Sequence, residues 1–201
     1  MGRHSRKEEK KIKISNILLL ILVIIAIILI VTIGRIISDR NENDENLKQV
    51  ISQVNENIQS DASGEIPYIE YEGYQVIGTI QISKLDLEYP ILIETTEDSL
   101  RKSITRFGDG KVNEVGNLCL AGHDYINNSM FGGINKLENG DEILITDLYG
   151  NKVTYTVFDK YTTDPNDTSV LESIDVTKRE ITLITCTNGN QDRLIIRATE
   201  K

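Results

Sequence analysis

Ile181-Thr182-Leu183-Ile184-Thr185-Cys186-Thr187-Asn188, continued by Gly189-Asn190 and answered by Asp192-Arg193-Leu194-Ile195-Ile196, decides how this chain is read. Residues 182–186 are apolar or β-branched throughout, the composition of a buried strand. Asn188-Gly189-Asn190 is a turn, because glycine and asparagine tolerate the left-handed backbone a tight reversal needs. The second run then returns as a neighbouring strand. Cys186 stands where a rigid strand gives way to a loop, a position suited to a nucleophile. Arg193 opens the return strand beside it. Its guanidinium donates from a planar fork, keeps its proton and suits an oxyanion or a peptide carbonyl.

A reactive thiol also needs a proton partner, and the rest of the chain narrows the choice. Residues 1–16 carry six Lys or Arg and two Glu in a chain of net charge −9, which leaves −13 on the remainder. That asymmetry argues against nucleic acid as a partner. Ile17 to Val31 is an unbroken apolar run, extended by Thr32, Ile33 and Gly34, near the lower limit of ~17–25 residues for a membrane-spanning helix. A cleaved signal peptide would show an apolar core of ~7–15 residues and then small residues, whereas Arg35-Ile36-Ile37 follows here. The pattern predicts an uncleaved anchor over 17–34 in the plasma membrane. The basic flank puts 1–16 in the cytoplasm and the large part outside. His4 then lies in the tail, and His123 is the one imidazole of the outer part.

The outer part holds two cysteines, Cys119 and Cys186. Outside a cell a pair of cysteines suggests a disulfide, which would silence both. No C-x-x-C is present and His123 has no ligand-like companions, so neither a metal nor another cofactor is predicted. Cys119, between Leu118 and Leu120, reads as an inert core thiol. Cys186 is flanked by hydroxyl side chains that could solvate a thiolate, with a core cysteine as the competing reading. His123 follows an apolar strand, Gly116 to Gly122, and precedes a loop, so a structural or solvated histidine competes with a catalytic one. Arg193 and Arg197 are four apart and share a strand face. One or both would ordinarily be surface charges, and Arg193, nearer the turn, is the functional candidate.

The remaining elements set the fold class. In the stem, 35–66, Leu47, Val50, Ile51, Val54 and Ile58 recur at helical spacing and predict a short amphipathic helix that packs on the domain or spaces it from the membrane. Asp61 to Pro67 is a turn-forming linker. From Tyr74 the pattern is β. A strand is expected over 74–82, and a second over 85–93 that Pro90 breaks or confines to an edge. A short helix is expected over 95–107, capped by Asp98 and Ser99. A helical turn follows at 129–137. The hairpin 142–148/152–160 turns on Gly150-Asn151 as a two-residue loop. The polar connection 162–178 is long enough to be functional. Short, closely spaced strands with few helices imply an all-β domain with minor helices over 67–201, most simply a closed barrel.

Three motifs resemble the sortases. Thr182-Leu183-Ile184-Thr185-Cys186 with Arg193 matches their T-L-x-T-C…R signature. Gly116 to His123 is similar to the family strand that ends in a G-H pair, and Gly78-Thr79-Ile80-Gln81-Ile82 resembles its early G-x-I-x-I strand. The resemblance implies an eight-stranded barrel and a membrane-bound cysteine transpeptidase. Such an enzyme cuts an L-P-x-T-G-type sorting motif between Thr and Gly and passes the thioacyl group to a cell-wall amine. Its partners would be surface proteins with a C-terminal sorting signal and a peptidoglycan precursor. By position, Cys186 would be the nucleophile, His123 the acid/base and Arg193 the group that positions substrate and steadies the oxyanion. The chain departs from pilus-type members in having no aromatic Asp-Pro lid ahead of the barrel, and is closer to class D or housekeeping types. Some sortases bind calcium, but the acidic loops here show no ligand pattern.

Two other readings make distinct predictions. An L,D-transpeptidase would carry an S-x-G-C-type motif where Thr-Cys-Thr-Asn stands. A non-catalytic β-domain that binds a wall component would leave Cys186, His123 and Arg193 apart.

Overall fold

Apolar residues at alternate positions build most of the fold. The computed structural model describes residues 2–56 and 68–201, with side chains for 19–35, 45–55 and 68–201. The strands are β1 (Glu70–Tyr71), β2 (Tyr74–Ile82), β3 (Leu87–Leu92), β4 (Ile104–Arg106), β5 (Gly116–Ala121), β6 (Glu142–Asp147), β7 (Lys152–Thr163), β8 (Arg179–Thr187) and β9 (Asp192–Glu200). Their order is β1-β2-β3-β4-β5-β8-β9-β7-β6, and β6 pairs back with β2. Strands β2 to β9 therefore close into the eight-stranded barrel expected, with β1 a two-residue appendage on β2. Two pairings are parallel, β3 with β4 and β5 with β8.

Alternation decides which side chains fill the barrel. Leu118 and Leu120 of β5, Ile181 and Leu183 of β8, and Ile196 and Ala198 of β9 join Ile80, Ile82 and Tyr155 in one buried core. Each fully buried aliphatic of this kind contributes ~1.5–3 kcal/mol. Strand β2 breaks the alternation on purpose. Its pairing with β3 shifts register between Val76 and Gly78. The bulge sends Val76 to the opposite face from Ile80 and Ile82. There it meets Leu92, Ile69, Tyr71 and Leu148 in a second cluster.

That second cluster is covered by a helix. The chain divides into a unit ending at Glu45 and a unit from Asn46 to Lys201. Helix α1 (Gly2–Glu56) is one element, where two separate helices were expected. Within the second unit its end buries Val50 and Val54, with Leu47 alongside, against the cluster around Val76. This is the packing expected of the amphipathic segment; Ile58 and the 61–67 linker lie outside the described residues. Within the first unit the leucine, isoleucine and valine side chains from Leu19 to Ile33 are all exposed. The expected anchor, 17–34, begins outside the described side chains. Among the described residues no helix is long and apolar enough to cross a membrane.

Three local expectations are corrected. The segment 95–107 is two elements, α2 (Glu97–Lys102) and then β4. Thr96, not Asp98, caps α2, in a reciprocal box with Ser99. Pro90 does not break β3; of the two alternatives it takes the edge one, opposite Thr79 of β2 and short of the β4 ladder. The β3–β4 ladder begins only at Ile91, so no β4 partner calls on the missing N–H, and the Ser103 hydroxyl donates to the Pro90 carbonyl at 2.6 Å. The β6–β7 turn is longer than two residues. Asp147 organises it, accepting from the Tyr149 and Asn151 amides at 2.9 and 2.8 Å.

Candidate active site

Strands β5, β8 and β9 form a ribbon whose inner face belongs to the core, so the alternate residues face outward. Register lays these out in cross-strand rows. Asn117, Glu180 and Thr199 make the first row, and Cys119, Thr182 and Arg197 the second. Ala121, Ile184 and Ile195 make the third. Two residues further along, Cys186 stands directly opposite Arg193, and His123 follows the end of β5 by the same step. The connection there continues past the ladder. Gly122 donates its amide to the Ile184 carbonyl at 3.2 Å, and the buried Thr185 hydroxyl donates to the Gly122 carbonyl at 2.7 Å.

At that end a cleft of about 260 Å³ opens, and His123, Cys186 and Arg193 all line it. All three are half-buried. Their convergence is the opposite of what the binding-domain reading predicts. Ile184 and Ile195 give the cleft an apolar base. Leu100 of α2 and Phe107 add to it from one segment, and Asp164, Pro165, Asp167 and Val170 from the 164–178 connection. The Ser169 hydroxyl, then the Thr163 hydroxyl and the Ser169 amide, hold the Asp167 carboxyl below the usual carboxylate range. The two hydroxyls donate to it at 2.6 Å each.

His123 and Arg193 each have a local support. Gly122 precedes His123 because the Phe131 ring lies against it; a Cβ there would come within 2.8 Å of the ring. Phe131 in turn donates its amide to the His123 carbonyl at 3.1 Å, closing the loop after β5. The Tyr125 ring stands 5.2 Å from the imidazole, centroid to centroid, and tilted by 50°. Arg193 Nη1 donates to the Asn190 and Asp192 carbonyls at 3.3 and 3.1 Å, which ties the guanidinium to the turn. That turn takes positive φ at three successive residues, Asn188, Gly189 and Asn190 (50°, 64° and 73°). Asparagine and glycine are the residues that tolerate such a run.

The structure refines the sequence reading in three respects. The site lies on the outer face of the ribbon, beside the strand ends at which its residues were expected. Arg197 is not a surface charge; it is buried beside Glu180 at 3.6 Å. Leu100 and Phe107 were assigned to one helix and not to the site, because only the α2–β4 break turns them toward it. Both cysteines are free. Cys119 is a core thiol as expected, and burial pushes its pKa up to about 11. Among the described residues no group of three or more His, Cys, Asp or Glu could hold a metal ion.

Comparison with known proteins places this geometry. Residues 80–201 match the Sortase domain. The chain is 33% identical over 135 residues to sortase A of Bacillus anthracis, covering 66% of this chain and 63% of that protein. It is 38% identical over 118 residues to sortase A of Listeria monocytogenes, covering 58% and 51%. The matches thus span about half to two thirds of the curated relatives' length. A solved Clostridium perfringens sortase D5 transpeptidase superposes with a TM-score of 0.63 at 30% identity, over 79% of this chain and 98% of that one. With the domain matched from β2 to the last residue, this chain belongs to the sortase family.

Proposed function

We propose that this chain is a membrane-anchored cysteine transpeptidase that cuts an L-P-x-T-G-type sorting motif between Thr and Gly. The observation that carries this reading is the cleft shared by Cys186, His123 and Arg193. The Cys186 thiolate adds to the threonine carbonyl carbon, and the resulting oxyanion takes hydrogen bonds from Arg193. The guanidinium has donors beyond Nη1 for this purpose. The carbon–nitrogen bond then breaks as His123 gives its proton to the departing glycine amine. An acceptor amine attacks the thioester, loses its proton to His123 and releases the thiolate. Ile184, Ile195, Leu100 and Phe107 give the apolar part of the motif a dry surface.

The acceptor is a peptidoglycan-precursor amine and the donors are surface proteins with a C-terminal sorting signal. The apolar run 17–34, preceded by the basic tail, anchors the chain in the plasma membrane, with residues 67–201 outside as the catalytic domain. The relation to a sortase D5 transpeptidase supports the reaction class.

Incubation with a quenched library of L-P-x-T-G-type peptides, followed by intact mass, tests this. A thioacyl adduct on the wild type and none on Cys186→Ala is expected. Adding hydroxylamine or a diamine then separates transfer from hydrolysis. Turnover that persists in Cys186→Ala would sink the assignment.

A further inference from the structure

We infer that the buried Glu180–Arg197 pair, with Asn117, is a positioning element that holds the 164–178 connection as the substrate-facing wall of the cleft. The inference rests on the proposed peptide-cleaving activity and goes beyond it, because none of these side chains lines the cleft. Glu180 and Arg197 are 3% and 8% exposed and stand on the outer face of the ribbon, at its far end from Cys186. Their polar groups are directed into the backbone of the connection. Arg197 Nη2 donates to the Glu172 carbonyl at 2.6 Å. Asn117 Nδ2 donates to the Val170 and Glu172 carbonyls at 3.0 and 3.3 Å. The Glu180 carboxylate accepts from the Ile174 and Asp175 amides at 2.8 and 3.0 Å. Three side chains thus grip the backbone from 170 to 175; Val170 at its start and Asp164, Pro165 and Asp167 just before it line the cleft.

Stability alone does not account for the arrangement. A buried ion pair can often be replaced by apolar residues of similar volume without loss of stability. Arg197 Nε is, among the described residues, the one buried side-chain polar atom without a hydrogen-bond partner. An arginine kept for stability would avoid that unmet donor. What the pair does supply is directional: donors and acceptors at fixed places that a polar connection can read, next to the apolar contact of Val170 with Ile184 and Ile195. A peptide that binds in the cleft would meet a wall already in place, so less ordering cost would fall on binding.

The test uses the full-length protein in detergent, as wild type and as the double variant Glu180→Leu/Arg197→Met. Hydrogen exchange, peptide kinetics and the rate of Cys186 alkylation by iodoacetamide are read together. The expected result is faster exchange across 164–175 with β8 and β9 still protected. KM for the sorting peptide should rise about five- to tenfold, while kcat and the alkylation rate stay within about twofold of wild type. Unchanged exchange, or faster exchange with an unchanged KM, overturns the inference. So does a fall in kcat and alkylation as large as the rise in KM, which would mean that the pair acts on the nucleophile. If the double variant does not fold, Glu180→Gln, which keeps size and one acceptor, is measured by the same criteria. Absence of peptide turnover in the wild type would overturn the proposed activity and with it the wall's role in binding; faster exchange would then establish a structural tether alone.

Discussion

The outer face of the β5–β8–β9 ribbon presents the same two residue types twice. At one end Cys119 of β5 and Arg197 of β9 flank Thr182 of the intervening β8; four residues along, Cys186 and Arg193 lie directly opposite each other on β8 and β9. At the first end the thiol is 1% exposed and burial raises its pKa to about 11, so it stays neutral at physiological pH. The arginine there is spent on an ion pair and a backbone carbonyl. At the second end a cleft opens, a histidine joins, and among the described residues the arginine's hydrogen bonds go to the Asn190 and Asp192 carbonyls. Ribbon, face and residue type are shared. Access to solvent and the company of an imidazole are what differ, and they separate a packing thiol from the proposed nucleophile.

The strongest way to break this comparison is to exchange the roles of the two cysteines. Cys186→Ala and His123→Ala should each lower peptide turnover by at least about 1,000-fold, whereas Cys119→Ser should keep most of it. Steady-state rates with a quenched sorting peptide decide the matter, and comparable losses from both cysteine changes would erase the distinction. Next in size, Arg193→Ala should reduce kcat by about 100- to 1,000-fold, the loss seen when an oxyanion donor is removed. Arg193→Lys should recover only part, because an ammonium lacks the planar fork.

A chemical comparison of the thiols sharpens the contrast further. With iodoacetamide at pH 8.5 the folded protein should gain one adduct by intact mass, on Cys186, and a second only in denaturant. The sign follows from the raised pKa: a thiol near 11 is protonated and inert at that pH. Rapid double labelling of the native protein would contradict the burial argument. The smallest effect is expected far from the ribbon. Val54→Ala should cost about 1–3 kcal/mol in urea unfolding, by emptying a fully buried site beneath the end of α1, with kcat unchanged.

The candidate site was more legible in the sequence than the elements around it. Cys186, His123 and Arg193 each stand at a strand end, and strand ends are where side chains meet across a sheet. The barrel too was visible, since strands of near-uniform spacing leave few other ways to remove their edges. What escaped the reading depends on register. Glu180 and Asn117 sit in apolar strands, where nothing local says that a connection more than fifty residues from Asn117 will return its backbone to them. Arg197 read as a surface charge because its cover is that same connection. One signal was available: Glu180, Thr182, Ile184 and Cys186 alternate with Ile181, Leu183 and Thr185, which marks a strand buried on two unlike faces. Pro90 and the α2–β4 break turn on how short the β3–β4 ladder is, and tertiary pairing alone sets that length.

The left-handed turn at Asn188–Asn190 has a consequence for how this protein tolerates change. It is the ruler between Cys186 and Arg193. Because residues on a strand swap faces at each step, loss of a single residue from 188–191 could not be absorbed as a shorter loop. It would slide β9 against β8, point Leu194 where Arg193 now stands and turn the guanidinium toward the oily interior. Insertions at the β6–β7 turn, on the exposed side of Asp147, carry no such penalty. An engineer who grafts peptides or labels onto this barrel has that turn to work with, and should treat four residues beside the cysteine as fixed in number.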